Sequence, residues 1–109
     1  MKLLEKKDLK DHDVYEICSA ENYPKHWNEN SLFITMEDFS LIAPYLDEVF
    51  LQYHYYGPQK ITTLEWESVK KIALIEENQK ESIITFFNQI SNWIDENNLN
   101  YDYFWIYGV

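Results

Sequence analysis

A chain of 109 residues is near the commonest domain size, and its 46% apolar and 17% aromatic content is too high for a disordered chain. Its formal net charge of −10, from nineteen acids against nine lysines and no arginine, opposes binding to nucleic acid or to an anionic membrane, because those affinities rest on cations neutralising phosphate. It favours a basic partner, which long-range attraction would steer to it, although acidity also serves solubility alone.

The charge is uneven. Residues 1–10 carry four lysines against Glu5 and Asp8, whereas residues 11–50 carry nine acids against Lys25. No run of roughly 20 apolar residues is present to span a bilayer, and no apolar stretch follows the N-terminal lysines as in a secretory leader, so a cytoplasmic location is expected. The lone Cys18 has no disulfide partner and lies between Glu16 and Glu21. It reads as a small buried apolar residue in a reducing compartment. With two glycines and three prolines there is no flexible linker, and residues 1–109 are expected to form a single domain.

In chain order, residues 11–22 show Val14, Ile17 and Cys18 at helical spacing and predict a short first helix capped by Asp11 or Asp13. Residues 23–30, with Pro24, Asn28 and Asn30, predict a loop. Ser31–Thr35 is a short apolar run that predicts a buried strand. Thr35-x-x-Asp38 resembles a capping box opening a helix with Phe39, Ile42, Ala43 and Leu46 on one face. Pro44 should kink or restart that helix.

Val49–Tyr56 fits either a strand or the fraying end of that helix, and Gly57-Pro58 ends it. Thr62-x-x-Glu65 is a full capping box before a helix burying Trp66, Val69, Ile72 and Ala73, interrupted at Glu76-Glu77-Asn78. Gln79–Asn97 is the clearest helix: Ile83, Phe87, Ile90 and Ile94 form a stripe that Ile84, Phe86 and Trp93 widen, with Asn97-Asn98 as its cap. Tyr101–Tyr107 predicts a final strand paired with Ser31–Thr35. The expected fold is α+β, with three to four helices packed on a two- or three-stranded sheet.

Motifs for catalysis are missing. Gly57 and Gly108 cannot build a phosphate loop, and the sequence has no CxxC, HExxH or GxSxG pattern. His12, His26 and His54 are dispersed. Asp11-His12-Asp13 offers three ligand types, but adjacent residues of a helix do not share a face. Carboxylate pairs such as Glu65/Glu67 and Asp47/Glu48 are to be expected by number alone among nineteen acids. The expectation is a protein that is not an enzyme and needs no cofactor or metal.

The unusual stretch is Gln52-Tyr53-His54-Tyr55-Tyr56-Gly57-Pro58. Tyrosine is amphipathic and enriched at interface hot spots, though a tyrosine-rich strand packed on helices would read the same. Trp66 and Trp93 fall within helical stripes and are expected in the core.

The order SLFITMEDF, HYYGPQKIT, LEWESV, SNWI and a closing FWIYGV, over residues 31–109, resembles a group of small bacterial proteins with an acidic helix, a Tyr-Tyr-Gly-Pro turn, a Trp-bearing helix and a closing strand. In size, acidity and aromatic content the chain is similar to immunity proteins of polymorphic-toxin and contact-dependent inhibition systems. That resemblance implies a protein that binds a basic, nuclease-type toxin domain and occludes its active site, without catalytic residues of its own. The contact residues expected are Asp47, Glu48, Tyr53, Tyr55 and Tyr56, with Glu37 and Asp38 next. The competing readings are an adaptor for an unrelated protein, a small-molecule-binding domain, and a homodimer that covers the aromatic excess.

Overall fold

The structure, a computed structural model, describes residues 2–10, 13–22, 28–55, 57–97 and 101–108. Four strands, β1 (Val14–Cys18), β2 (Leu32–Thr35), β3 (Gln59–Thr62) and β4 (Tyr103–Gly108), form one antiparallel sheet in the order β2-β1-β4-β3. Among the described residues four α-helices accompany it, α1 (Met36–Phe39), α2 (Ala43–Val49), α3 (Thr63–Glu76) and α4 (Glu81–Asn97), with a 3-10 turn at Lys6–Asp8. The class is α+β as expected, but the sheet has four strands rather than two or three.

The largest departure from the sequence reading is β1, where a helix was expected. Val14, Ile17 and Cys18 do fit a helical stripe, yet every residue of Val14–Cys18 is buried. A strand buried on both faces shows no polar alternation, so its short apolar run cannot be told from a helix by periodicity. Tyr15 and Ile17 point into the main core with Ile34, Ile61, Phe104 and Ile106. Val14, Glu16 and Cys18 therefore take the opposite face.

β1 also changes the expected pairing. The final strand does not pair with β2; β1 lies between them, with Ile17 opposite both Leu32 and Ile106. β3, a strand that the sequence did not announce, closes the other side through Ile61 opposite Phe104.

The helices follow their local signals closely. Thr35 caps α1 by accepting the Asp38 N–H at 3.1 Å. The reciprocal half of the box is absent, because the Asp38 carboxylate instead accepts the Lys2 N–H at 3.2 Å. The chain then breaks at residues 40–42 and restarts as α2 with Pro44 in the first turn, where its missing N–H does no harm. Thr62 and Glu65 form the full capping box of α3, at 3.1 and 2.8 Å. Asn78 and Gln79 take left-handed φ values of 54° and 57°, which turns the chain sharply and delays α4 to Glu81. Asn98, the expected cap partner of Asn97, lies outside the described residues.

Ile83, Phe86, Phe87, Ile90 and Trp93 of α4 and Trp66, Val69 and Ala73 of α3 bury against the sheet. Trp66 lies against Phe87 and edge-on to Phe104, with ring centroids 5.2 and 5.4 Å apart. Burial of each such side chain contributes about 1.5–3 kcal/mol.

Leu4 exchanges both backbone hydrogen bonds with Phe33, at 2.7 and 2.8 Å, and so extends the β2 edge. The stretch after β1 is tied down at both ends. The Trp105 indole donates to the Ala20 carbonyl and the Tyr103 hydroxyl to that of Glu21, at 2.9 and 2.7 Å. At the far end the Trp93 indole donates to the Asn30 carbonyl at 2.7 Å.

Candidate interaction surface

The acids nominated from the sequence sit on α1 and α2. Glu37 in the first turn of α1 and Asp47 and Glu48 on α2 are exposed, and among the described residues none of the three has a lysine within ion-pair distance. The ion pairs that do form, Lys6–Glu29 at 2.9 Å and Lys7–Glu5 at 3.4 Å, involve the N-terminal segment. Asp38 is half-buried and its carboxylate is engaged by Lys2.

The tyrosines play a different part from the acids. Val49 ends α2, and residues 50–55 run on as irregular chain rather than as a strand. Tyr53 is buried, with its ring 4.7 Å from that of Tyr55, 5.5 Å from Phe50 and 6.4 Å from Phe39. Phe39 in turn stacks on Tyr15 of β1 at 4.0 Å. Among the described residues the Tyr53 hydroxyl has no hydrogen-bond partner, and burial pushes its ionisation far up. Tyr53 is thus a packing residue beneath the surface, which burial removes from direct contact with a partner.

Tyr55 is half-buried over the edge of Phe39, and its hydroxyl donates to the Asp47 carboxylate at 2.5 Å. Burial and this hydrogen bond both raise its ionisation. Tyr56 lies outside the described residues. The structure therefore brings Asp47, Tyr53 and Tyr55 together as one unit, in which an aromatic cluster fastens the segment after α2 to β1, α1 and α2. Glu48 and Glu37 project from the same two helices.

Sequence reasoning passed over the apolar residues here. Met36 and Leu41 are exposed, and Leu51, immediately beyond α2, is fully exposed. Leu41 carries a legible signal, since it lies off the stripe of Phe39, Ile42 and Leu46. Exposed apolar side chains beside unpaired carboxylates suit a protein interface better than a purely solvated face.

A second feature that the sequence did not reveal is Glu16. Its side chain is completely buried and its carboxylate accepts from Ser31 Oγ at 2.6 Å and from Asn28 Nδ2 and N at 2.9 and 3.0 Å. Cys18 and Tyr107 adjoin it through the same Asn28 amide, at 3.4 and 3.3 Å. Burial pushes the Cys18 thiol up and the Glu16 charge adds to this, the opposite of what a thiolate nucleophile needs. Burial and Glu16 likewise raise the Tyr107 hydroxyl. The cluster is a saturated network that fixes residues 28–31 to the sheet.

Among the described residues, the concavities elsewhere include two open clefts. The one between the N-terminal segment and α4 encloses about 500 Å³, with Trp93 and Leu32 among its lining and Glu5, Glu29 and Glu96 around it. His12 and His26 lie outside the described residues, and His54 is exposed. Among the described residues no group of His, Cys, Asp and Glu is placed to hold a metal ion, and no helix is long and apolar enough to cross a membrane. In comparisons with known proteins, the chain matches no family model, no curated protein and no solved structure.

Proposed function

We propose that this chain is a bacterial immunity protein, acting in the cytoplasm, that binds a basic, nuclease-type toxin domain through the face built by α1, α2 and the segment after α2. The observation that carries the reading is the state of Glu37 and Glu48, exposed carboxylates without a lysine partner among the described residues, next to the exposed Leu41 and Leu51. Unpaired carboxylates raise the negative potential that steers a positively charged groove toward them. Apolar side chains beside them supply area that is released from water on contact. The aromatic cluster beneath holds the face rigid, so little ordering entropy is lost on binding.

The chain acts by occlusion, with no covalent chemistry of its own. Carboxylates on a rigid face mimic the phosphates of the toxin's substrate, and Leu41 and Leu51 seal the rim against water. The test is capture of partners by the tagged protein from its native bacterium at moderate and then high salt. The expected catch is a basic effector fragment whose activity the protein blocks, with slower association at high salt. Double charge reversal, Glu37→Lys with Glu48→Lys, should abolish that capture in a folded protein. Recovery of an unrelated cellular protein that charge reversal also releases would favour the adaptor reading.

A further inference from the structure

Of the four lysines of the N-terminal segment, Lys6 pairs with Glu29, and Lys2, Lys7 and Lys10 line one groove. We propose that this groove, between residues 2–10 and the start of β1, binds a free amphiphilic anion with a single apolar chain and a carboxylate-like head. It encloses about 590 Å³, within the range of roughly 300–1,000 Å³ typical of small-molecule sites. Its apolar lining comes from Leu4 and Leu9, both half-buried, and the buried Val14. Lys2, Lys7 and Lys10 line it as well, all three exposed, with the Lys7 ammonium 3.4 Å from the Glu5 carboxylate.

The sign of this charge is the informative point. The lysine-rich start of the chain gives this groove three lysines against Asp8, a local reversal of sign on a chain of net charge −10. The acid in the lining, Asp8, already accepts the Glu5 N–H at 3.2 Å. The Thr35 hydroxyl accepts the Asp38 N–H in capping α1, which leaves its O–H as a donor for an anionic head. The ligand must therefore gain its affinity from an apolar chain on the floor and an anionic head among the ammonium groups, whose flexible stems can follow it.

The whole-molecule field narrows the class further. Ten net negative charges repel a small hydrophilic anion, and they repel an anionic bilayer more strongly. Only an anion whose apolar part is buried overcomes that repulsion. This inference does not rest on the partner-binding face, and its groove adjoins α1 through Lys2 and Thr35, which both bond to Asp38.

The test is a titration of the full-length, nitrogen-15-labelled protein with hexanoate, octanoate and decanoate below their micelle concentrations, followed by amide shifts. Saturable shifts at Leu4, Leu9, Val14 and Thr35 are expected, with affinity rising roughly three- to fourfold per added methylene. Inorganic phosphate and octylammonium should give no saturable shift there. A triple variant, Lys2→Gln, Lys7→Gln and Lys10→Gln, should bind octanoate at least tenfold more weakly while its sheet resonances stay in place. Lys7→Glu alone should weaken binding severalfold.

Equal binding of octylammonium, shifts scattered over the surface, or unchanged affinity in the triple variant would overturn the proposal. So would sedimentation with phosphatidylglycerol vesicles at lower concentrations than free decanoate requires, which would make the groove a bilayer contact.

Discussion

The carboxylate of Glu16, completely buried in the second strand of the sheet order, lies 2.6 Å from the hydroxyl of Ser31, fifteen residues further along the chain. With two further donors from Asn28, this pair ties residues 28–31 to the sheet. Removing the carboxylate by Glu16→Ala leaves buried donors unpaired and a cavity behind, a loss of about 3 kcal/mol. Urea denaturation should show it as a lower midpoint at unchanged slope. Ser31→Ala, which removes one donor of several, should lose only about 1 kcal/mol.

Thr62 accepts the Glu65 N–H and Glu65 accepts the Thr62 N–H, so α3 opens on a reciprocal cap. Thr62→Ala should destabilise the protein by about 1 kcal/mol. Hydrogen exchange should rise first in the opening turn of α3 in that variant. An unchanged exchange pattern would count against the cap as the origin of α3.

The same cap protects the sheet. The Thr63 N–H donates to the Asp102 carbonyl, so by alternation Gln59 and Ile61 bond to β4 while Lys60 and Thr62 point outward. Of those outward groups, the Lys60 carbonyl accepts Gln59 Nε2 at 3.0 Å and the Thr62 N–H donates to Glu65. Side chains thus occupy an edge that would otherwise recruit another strand. Gln59→Val should promote concentration-dependent dimers in light scattering. A variant that stays monomeric at millimolar concentration would show that the edge needs no such blocking.

Tyr45 donates to the Glu77 carboxylate at 2.7 Å, and this hydrogen bond, more than burial, pushes its ionisation up to about 12. A phenol with a folded value above its unfolded value near 10 stabilises the fold fully below pH 10. That contribution is lost as the pH rises from about 10 to 12, because the unfolded chain releases its proton first. Glu77→Gln should bring the Tyr45 transition back toward 10, read by ultraviolet absorbance against a Tyr45→Phe control.

What was legible in the sequence rested on local chemistry. Thr62-x-x-Glu65, the restart at Pro44, the stripe of α4 and the burial of Trp66 and Trp93 each depend on neighbours within a turn or two. What was not legible depended on distant partners. VYEIC reads as a helix until Ile17 is seen between Leu32 and Ile106, and QKIT has too few residues to announce a strand without Phe104 beside it. The tyrosines of the candidate face were visible by type, but only the aromatic cluster around Phe39 separates the buried Tyr53 from the half-exposed Tyr55.

By itself the sequence determined an acidic α+β chain with a lysine-rich start, two capped or striped helices and a closing apolar strand, because charge, capping and period are set residue by residue. The tertiary structure alone decided that Glu16 is buried, that β1 separates β2 from β4, and that Leu4, Leu9 and Val14 line one groove with three lysines. Those outcomes depend on which faces the folding chain covers, and burial is shared among segments far apart in sequence.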